Sequence, residues 1–242
     1  MKLAYLKVEL WIYEKIIIIE MERPIENDIL FKNQNGNNLD YATINSQKGI
    51  NNEHSLFLLV EGYRDASSKL LNELLTAEKV DWLKIDSLIY PILFSFRHYL
   101  ELVIKDTIRN YNLIDKKINS DEIGFKKEHS ILKLWTLLKN RIVENYEGYD
   151  KETIQQCEIE NTSVENMLIE INNLDEFSFG FRYPFQIVDY GKNINSKIVY
   201  MFGELKIDLN NLNENMSKLI NYFEGLNCQS VHILDEIQTV KE

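Results

Sequence analysis

The run PILFSFRHYLELVIKDTI (Pro91–Ile108) constrains the fold more than any other stretch of the chain. Wound as a helix, it places Ile92, Leu93, Phe96, Tyr99, Leu100, Leu102, Val103 and Ile104 around most of its circumference. A helix that is apolar on nearly all sides must be surrounded by other elements. The same run carries Arg97, His98 and Glu101, with Lys105 and Arg109 extending the polar side. Arg97 and Glu101 stand one helical turn apart, as do Glu101 and Lys105, so these side chains are neighbours on the helix surface. The expected element is a central helix with one thin polar seam. A charge removed from water needs a partner, or its burial costs several kcal/mol, on the order of the penalty for a buried ion. Glu101 is spaced to satisfy both Arg97 and Lys105.

Four further amphipathic patterns accompany it, and each apolar stripe must be buried against another. The first spans about 52–76, with Leu56, Leu59, Tyr63, Leu70 and Leu74 along one face. The central helix itself is expected over about 86–111. HSILKLWTLLKNRIVENY follows, aligning Ile131, Trp135, Leu138 and Ile142. The next, about 151–174, aligns Ile154, Cys157, Val164, Leu168 and Ile171. The last, DLNNLNENMSKLINYFEG, alternates spacings of three and four through Leu209, Leu212, Met216, Leu219 and Phe223. Asp208 is its natural N-cap and Gly225 its natural C-terminal stop. Only three prolines and nine glycines interrupt 242 residues, which also favours long regular elements.

Two regions break the helical period. At the N-terminus, Ala4, Leu6, Val8, Leu10 and Ile12 alternate, and isoleucines 16–19 form a β-branched run. This favours a strand, although Leu3, Leu6, Leu10, Tyr13 and Ile17 also fit a helical stripe. FQIVDYGKNINSKIVYMFGELKI, with β-branched and aromatic residues about Gly191–Asn193, reads as a hairpin before the last helix. NQNGNNLDYATINSQKGINN (Asn33–Asn52) is polar and turn-rich. The expected organisation is an N-terminal β element over 1–32, a polar linker over 33–52, a helical domain over 53–226 and a C-terminal tail over 227–242.

The charge is −11 and uneven: residues 1–150 hold 20 Lys/Arg against 23 Asp/Glu, and residues 151–242 hold 7 against 15. A sequence-blind nucleic-acid binder needs a basic stripe to neutralise phosphates, and none is visible. Cys157 and Cys228 stand alone, in keeping with a reducing compartment. Lys7, Glu9, Glu14, Lys15 and Glu20 break the apolar start, so no run spans a bilayer and no signal peptide is read; a cytoplasmic protein without membrane association is expected. Gly-rich phosphate loops, GxSxG and HExxH are absent from the sequence. His54, His98, His129 and His232 are scattered rather than set at metal-ligand spacing, so no cofactor or metal is expected.

The polar seam reads in two ways. It is a self-paired structural device, or it is one wall of a pocket in which His98 moves a proton near neutral pH. Two distant stretches could complete such a pocket. KEHSILKLW puts His129 at the mouth of a helix, where capping or packing is its plain role. LDEFSFGFRYP puts Asp175, Ser178, Arg182 and Tyr183 in a tight aromatic loop. Arg182, between Phe181 and Tyr183, is expected to be stacked and held, with a bidentate clamp onto Glu101 or Asp175 as its structural role.

YPILFSFRHYLELVIKDTI, HSILKLW and FSFGFRYP together resemble a bacterial branch of the HEPN superfamily (higher eukaryotes and prokaryotes nucleotide-binding) over about residues 53–225. In that pattern an aromatic and aliphatic helix, here Tyr99–Lys105, precedes a His-x-Leu helix start, here His129–Leu132. The resemblance implies a bundle of four or five helices that commonly dimerises. It also implies either a metal-independent RNase of toxin–antitoxin, CRISPR or phage-defence systems, or an inactive relative that binds nucleotides, RNA or protein partners. Active members carry an arginine followed, four to six residues on, by a histidine; the arginine holds phosphate and the histidine transfers a proton. No arginine here has a histidine at that distance.

The expectation is therefore a mainly α protein: an HEPN-like bundle of about five helices with a short N-terminal β element and a small β-hairpin before the last helix. Its expected role is a non-catalytic subunit of a bacterial defence or toxin–antitoxin system that docks a protein partner or senses a ligand, as a homodimer. The alternative is a metal-independent endoribonuclease acting on RNA, with Arg97, His98, His129 and Arg182 catalytic and Glu101, Lys105, Asp175 and Tyr183 in support.

Overall fold

The computed structural model describes residues 53–78, 81–118, 127–146, 148–175, 180–182, 185–188, 197–200 and 203–239, all within one unit, Asn45–Glu242. The expected N-terminal strand and the polar linker lie outside the described residues. The protein is mainly helical. Helix α1 spans Glu53–Thr76, α2 Trp82–Ile114, α3 Ile131–Glu144, α4 Lys151–Leu174 and α5 Leu209–Thr239. Two short strands, β1 (Phe185–Val188) and β2 (Lys197–Tyr200), pair antiparallel between α4 and α5, with Phe185 opposite Tyr200 and Val188 opposite Lys197.

Local chemistry sets the helix starts. Asp81 accepts the Leu83 N–H at 3.0 Å, Asp150 the Thr153 N–H at 2.8 Å, and Asp208 the N–H groups of Asn210 and Asn211 at 2.9 and 3.1 Å. Each satisfies donors that the first turn leaves without a helical partner. Helix α2 begins upstream of the sequence expectation and carries Pro91 in its interior. Proline there removes one backbone donor and strains the preceding turn, a cost that the packing of the remaining two dozen residues outweighs.

Helix α2 is the central rod. Ile92, Phe96, Tyr99, Leu100, Val103 and Ile104 are buried, and the other helices cover them. Leu71 and Leu74 come from α1, Leu134, Trp135 and Leu138 from α3, Val164 and Leu168 from α4, and Met216, Leu219 and Phe223 from α5. Trp135 packs edge-to-face on Phe223, with ring centroids 6.0 Å apart at 89°. Beside them, the buried Asn161 donates to the Tyr146 hydroxyl at 2.8 Å and accepts from the Tyr222 hydroxyl at 2.5 Å, so its amide is paired on both ends.

One helix end departs from expectation. Gly225 does not stop α5, which continues to Thr239 through residues assigned above to a tail. Glycine inside a helix costs roughly 0.5–1 kcal/mol. Contacts beyond it offset this: Asn227 donates to the Asp106 carboxylate at 2.8 Å, and Asn110 donates to the buried Ser230 hydroxyl at 3.1 Å. Both bonds tie the C-terminal half of α5 to α2.

Candidate functional site: a buried ionic seam and its exposed histidine

The seam forms as the spacing predicts, and it is fully internal. Arg97 is 0% exposed and Glu101 2%. Glu101 Oε2 accepts from Arg97 Nη1 at 2.9 Å, and its Oε1 accepts from Lys105 Nζ at 2.7 Å. The other two guanidinium nitrogens leave the helix. Nε donates to the backbone carbonyl of Asp175 at 3.1 Å, and Nη2 to the backbone carbonyl of His129 at 2.5 Å. One side chain thus fastens α2 to the start of α3 and to the exit of α4. Burial pushes the Glu101 carboxyl up, but the hydrogen bonds from Lys105, Arg97 and His129 outweigh it and hold the group below its ordinary value.

Asp175 is the second anchor. It is buried, its Oδ2 lies 3.8 Å from Arg97 Nε, and its Oδ1 accepts the Gly180 N–H at 2.9 Å. Asp175 thus ties the exit of α4 to Gly180, with Phe181 buried just beyond.

His129 has one foot in the seam. Its Nδ1 lies 2.9 Å from Glu101 Oε1, while its side chain is 65% exposed. A carboxylate accepts only, so the partner fixes the ring with a proton on Nδ1 and turns Nε2 away from it. Glu128 sets the backbone beneath, its Oε1 accepting the N–H groups of His129 and Ser130 at 3.0 and 2.9 Å. Ser130 then caps α3. Histidine at the helix mouth is thus neither a cap nor a core residue.

His98 and Arg182 form a separate group. The half-buried His98 ring meets Tyr63 of α1 edge-on, 4.4 Å between centroids, and lies parallel to Phe94 at 6.0 Å. Burial lowers its pKa; Glu101 opposes that, and the charges of Arg97, Lys105 and Arg182 lower it further. Arg182 is exposed, with its guanidinium 5.5 Å from the centre of the Phe94 ring. The expectation that Arg182 clamps Glu101 or Asp175 is corrected here: Arg97 reaches both residues instead, with one hydrogen bond to the Glu101 carboxylate and one to the Asp175 carbonyl. Arg97 starts from the core helix and needs only one side-chain length to reach both segments, whereas Arg182 sits on the outer face of the loop. Arg182 is stacked as expected, but on a ring of α2. Ser178 and Tyr183 lie outside the described residues.

Of the four proposed catalytic residues, Arg97 and His129 meet through Glu101 and a backbone carbonyl, and His98 and Arg182 share the Phe94 ring. Sequence reasoning missed Phe94, Tyr63 and Glu128. The i, i+4 spacing of Phe94 and His98 was available as a signal. Tyr63 is on another helix and had none. The Arg97 guanidinium, sealed from solvent, cannot hold a phosphate. The Glu101–His129 pair can orient a proton-transferring imidazole. Among the described residues no cluster of three or more His, Cys, Asp or Glu could hold a metal ion, and no helix is long and apolar enough to cross a membrane. No family model, curated protein or solved structure matches the chain.

Proposed function

We propose that this chain is a non-catalytic, HEPN-like component of a bacterial defence or toxin–antitoxin system, which docks a protein partner or senses a ligand in the cytoplasm, as a homodimer. One observation carries the reading. Arg97, one of the two arginines expected at the candidate site, is fully buried and spends its donors on Glu101 and two backbone carbonyls. An arginine so engaged braces a fold. The excess of acidic over basic residues in 151–242 also disfavours RNA as the partner.

A second reading, a metal-independent endoribonuclease, is favoured by the exposed His129 ring held at Glu101. An imidazole fixed by a carboxylate is a competent general base. The test is incubation of purified protein with RNA, with and without EDTA. The proposal expects intact RNA, and the same for His129→Ala. Cleavage that survives EDTA and disappears in His129→Ala, at unchanged melting temperature, would establish the nuclease instead. Light scattering during size-exclusion chromatography tests the dimer.

A further inference from the structure

We propose that the cavity between α2, α4 and the start of α5 binds a small, largely apolar molecule with a positively charged head. This deepens the ligand-sensing form of the proposed function and rests on it. The cavity encloses about 430 Å³, within the range of small-molecule sites. Phe96 of α2, Met167 and Ile171 of α4, and Met216 and Leu219 of α5 line it, and Phe181 closes one side. Two methionines among the lining residues give a wall that adapts its shape to an apolar guest.

Polar side chains complete this lining, and the charged ones among them set the head group. Among the described lining residues the charged ones are Glu170, Asp208 and Lys206, all exposed, two carboxylates against one ammonium. Lys206 is almost fully exposed and turned toward Glu204, 3.8 Å away. Glu170 has no ion-pair partner among the described residues. Asp208 uses one oxygen to cap α5, and a carboxylate retains capacity to accept more. Two carboxylates in the lining favour a cationic head over an anionic one. Phe181 follows Gly180, whose N–H Asp175 accepts, and Arg97 donates to the Asp175 carbonyl, so a guest seated against Phe181 adjoins groups tied to the seam.

The test uses the whole chain and Nile red as a neutral apolar probe. Decylamine, decanol and decanoate, below their aggregation concentrations, then compete for the probe. Enhanced, blue-shifted dye emission is expected, with decylamine displacing the dye at least tenfold more effectively than decanoate. Glu170→Gln should shrink that preference while dye binding persists. Ile171→Trp and Leu212→Trp should each block the dye while far-UV circular dichroism stays native; if one unfolds, the other decides. A folded wild-type chain that leaves the dye dark overturns the site, as does equal displacement by decanoate, or dye binding that both folded tryptophan variants retain. RNA cleavage by the same preparation would instead overturn the non-catalytic reading and leave the dye result standing.

Discussion

Replacing Arg97 with methionine tests the structural reading of the seam most directly. The substitution keeps an unbranched chain of similar reach and removes the guanidinium. Three acceptors then lose their donor: the buried Glu101 Oε2 and Asp175 carbonyl, and the His129 carbonyl. A buried carbonyl left without a donor costs about 1–3 kcal/mol, and breaking a buried ion pair from one side costs about 3–5 kcal/mol. These do not add, because Lys105 still neutralises Glu101 at 2.7 Å. The expected loss is about 3–5 kcal/mol. At roughly 2–4 °C per kcal/mol for a domain of this size, the melting temperature should fall by roughly 6–20 °C. The urea midpoint should fall by about 1 M or more at an unchanged slope. Arg97→Lys should lie between, since an ammonium keeps the charge but cannot reach Glu101 and two carbonyls on diverging directions. A double-mutant cycle with Glu101→Leu should give a coupling of about 0.5–3 kcal/mol. An Arg97→Met protein within about 0.5 kcal/mol of wild type, the scale of an inconsequential surface change, would refute the reasoning.

Other outcomes follow from the same contacts. His98 has a pKa lowered from 6.5 by burial, so the unfolded chain binds its proton more readily; the stability it permits is present above pH 6.5 and is lost as pH falls toward the folded value. His98→Phe should flatten that part of a stability–pH profile, measured by urea unfolding. Glu101 is held below 4.5, so its contribution is present above that pH and declines only in stronger acid; Glu101→Gln should remove the decline along with the stability. The Tyr99 hydroxyl is buried and meets no hydrogen-bond partner among the described residues, so Tyr99→Phe should be neutral or stabilising by about 1 kcal/mol in thermal melts. Gly225 is exposed inside α5 with nothing near its missing Cβ, so Gly225→Ala should stabilise by about 0.5–1 kcal/mol; destabilisation would argue against a continuous helix there.

The helices were legible because their determinants are local. Leu168 and Ile171 repeat at helical spacing, and α4 lies over Lys151–Leu174 as that spacing predicts. Asp208 was readable as a cap for the same reason, and so was Glu101 as the partner of Arg97 and Lys105. The arginine clamp was not. Arg97 and Asp175 are 78 positions apart, and nothing in either stretch tells which of two arginines reaches the other. Local aromatic neighbours made Arg182 the better guess, and they did foretell its stacking; the ring beneath it is Phe94 of α2. The end of α5 failed differently. Gly225 is a correct local stop signal, overruled by Asn227 and Ser230, whose partners Asp106 and Asn110 lie on a helix more than a hundred residues earlier.

Brace and candidate base are one construction. Arg97 holds the His129 carbonyl, Glu101 holds the His129 ring, and Arg97 and Lys105 hold Glu101. Any change to Arg97, Glu101 or Lys105 therefore moves the imidazole as well as weakening the bundle. Lost activity in such a variant would not distinguish catalysis from folding. His129 alone separates the two, because its exposed ring contributes little packing and its carbonyl survives substitution. His129→Ala should keep stability within about 1 kcal/mol, the worth of one hydrogen bond less its exposure. A seam that exists to position a base would make that variant inert and stable; a seam that exists to join α2, α3 and the α4 exit would leave its biological behaviour unchanged. The second outcome is expected, since two of the three Arg97 contacts are to backbone and would serve equally beneath any side chain at position 129.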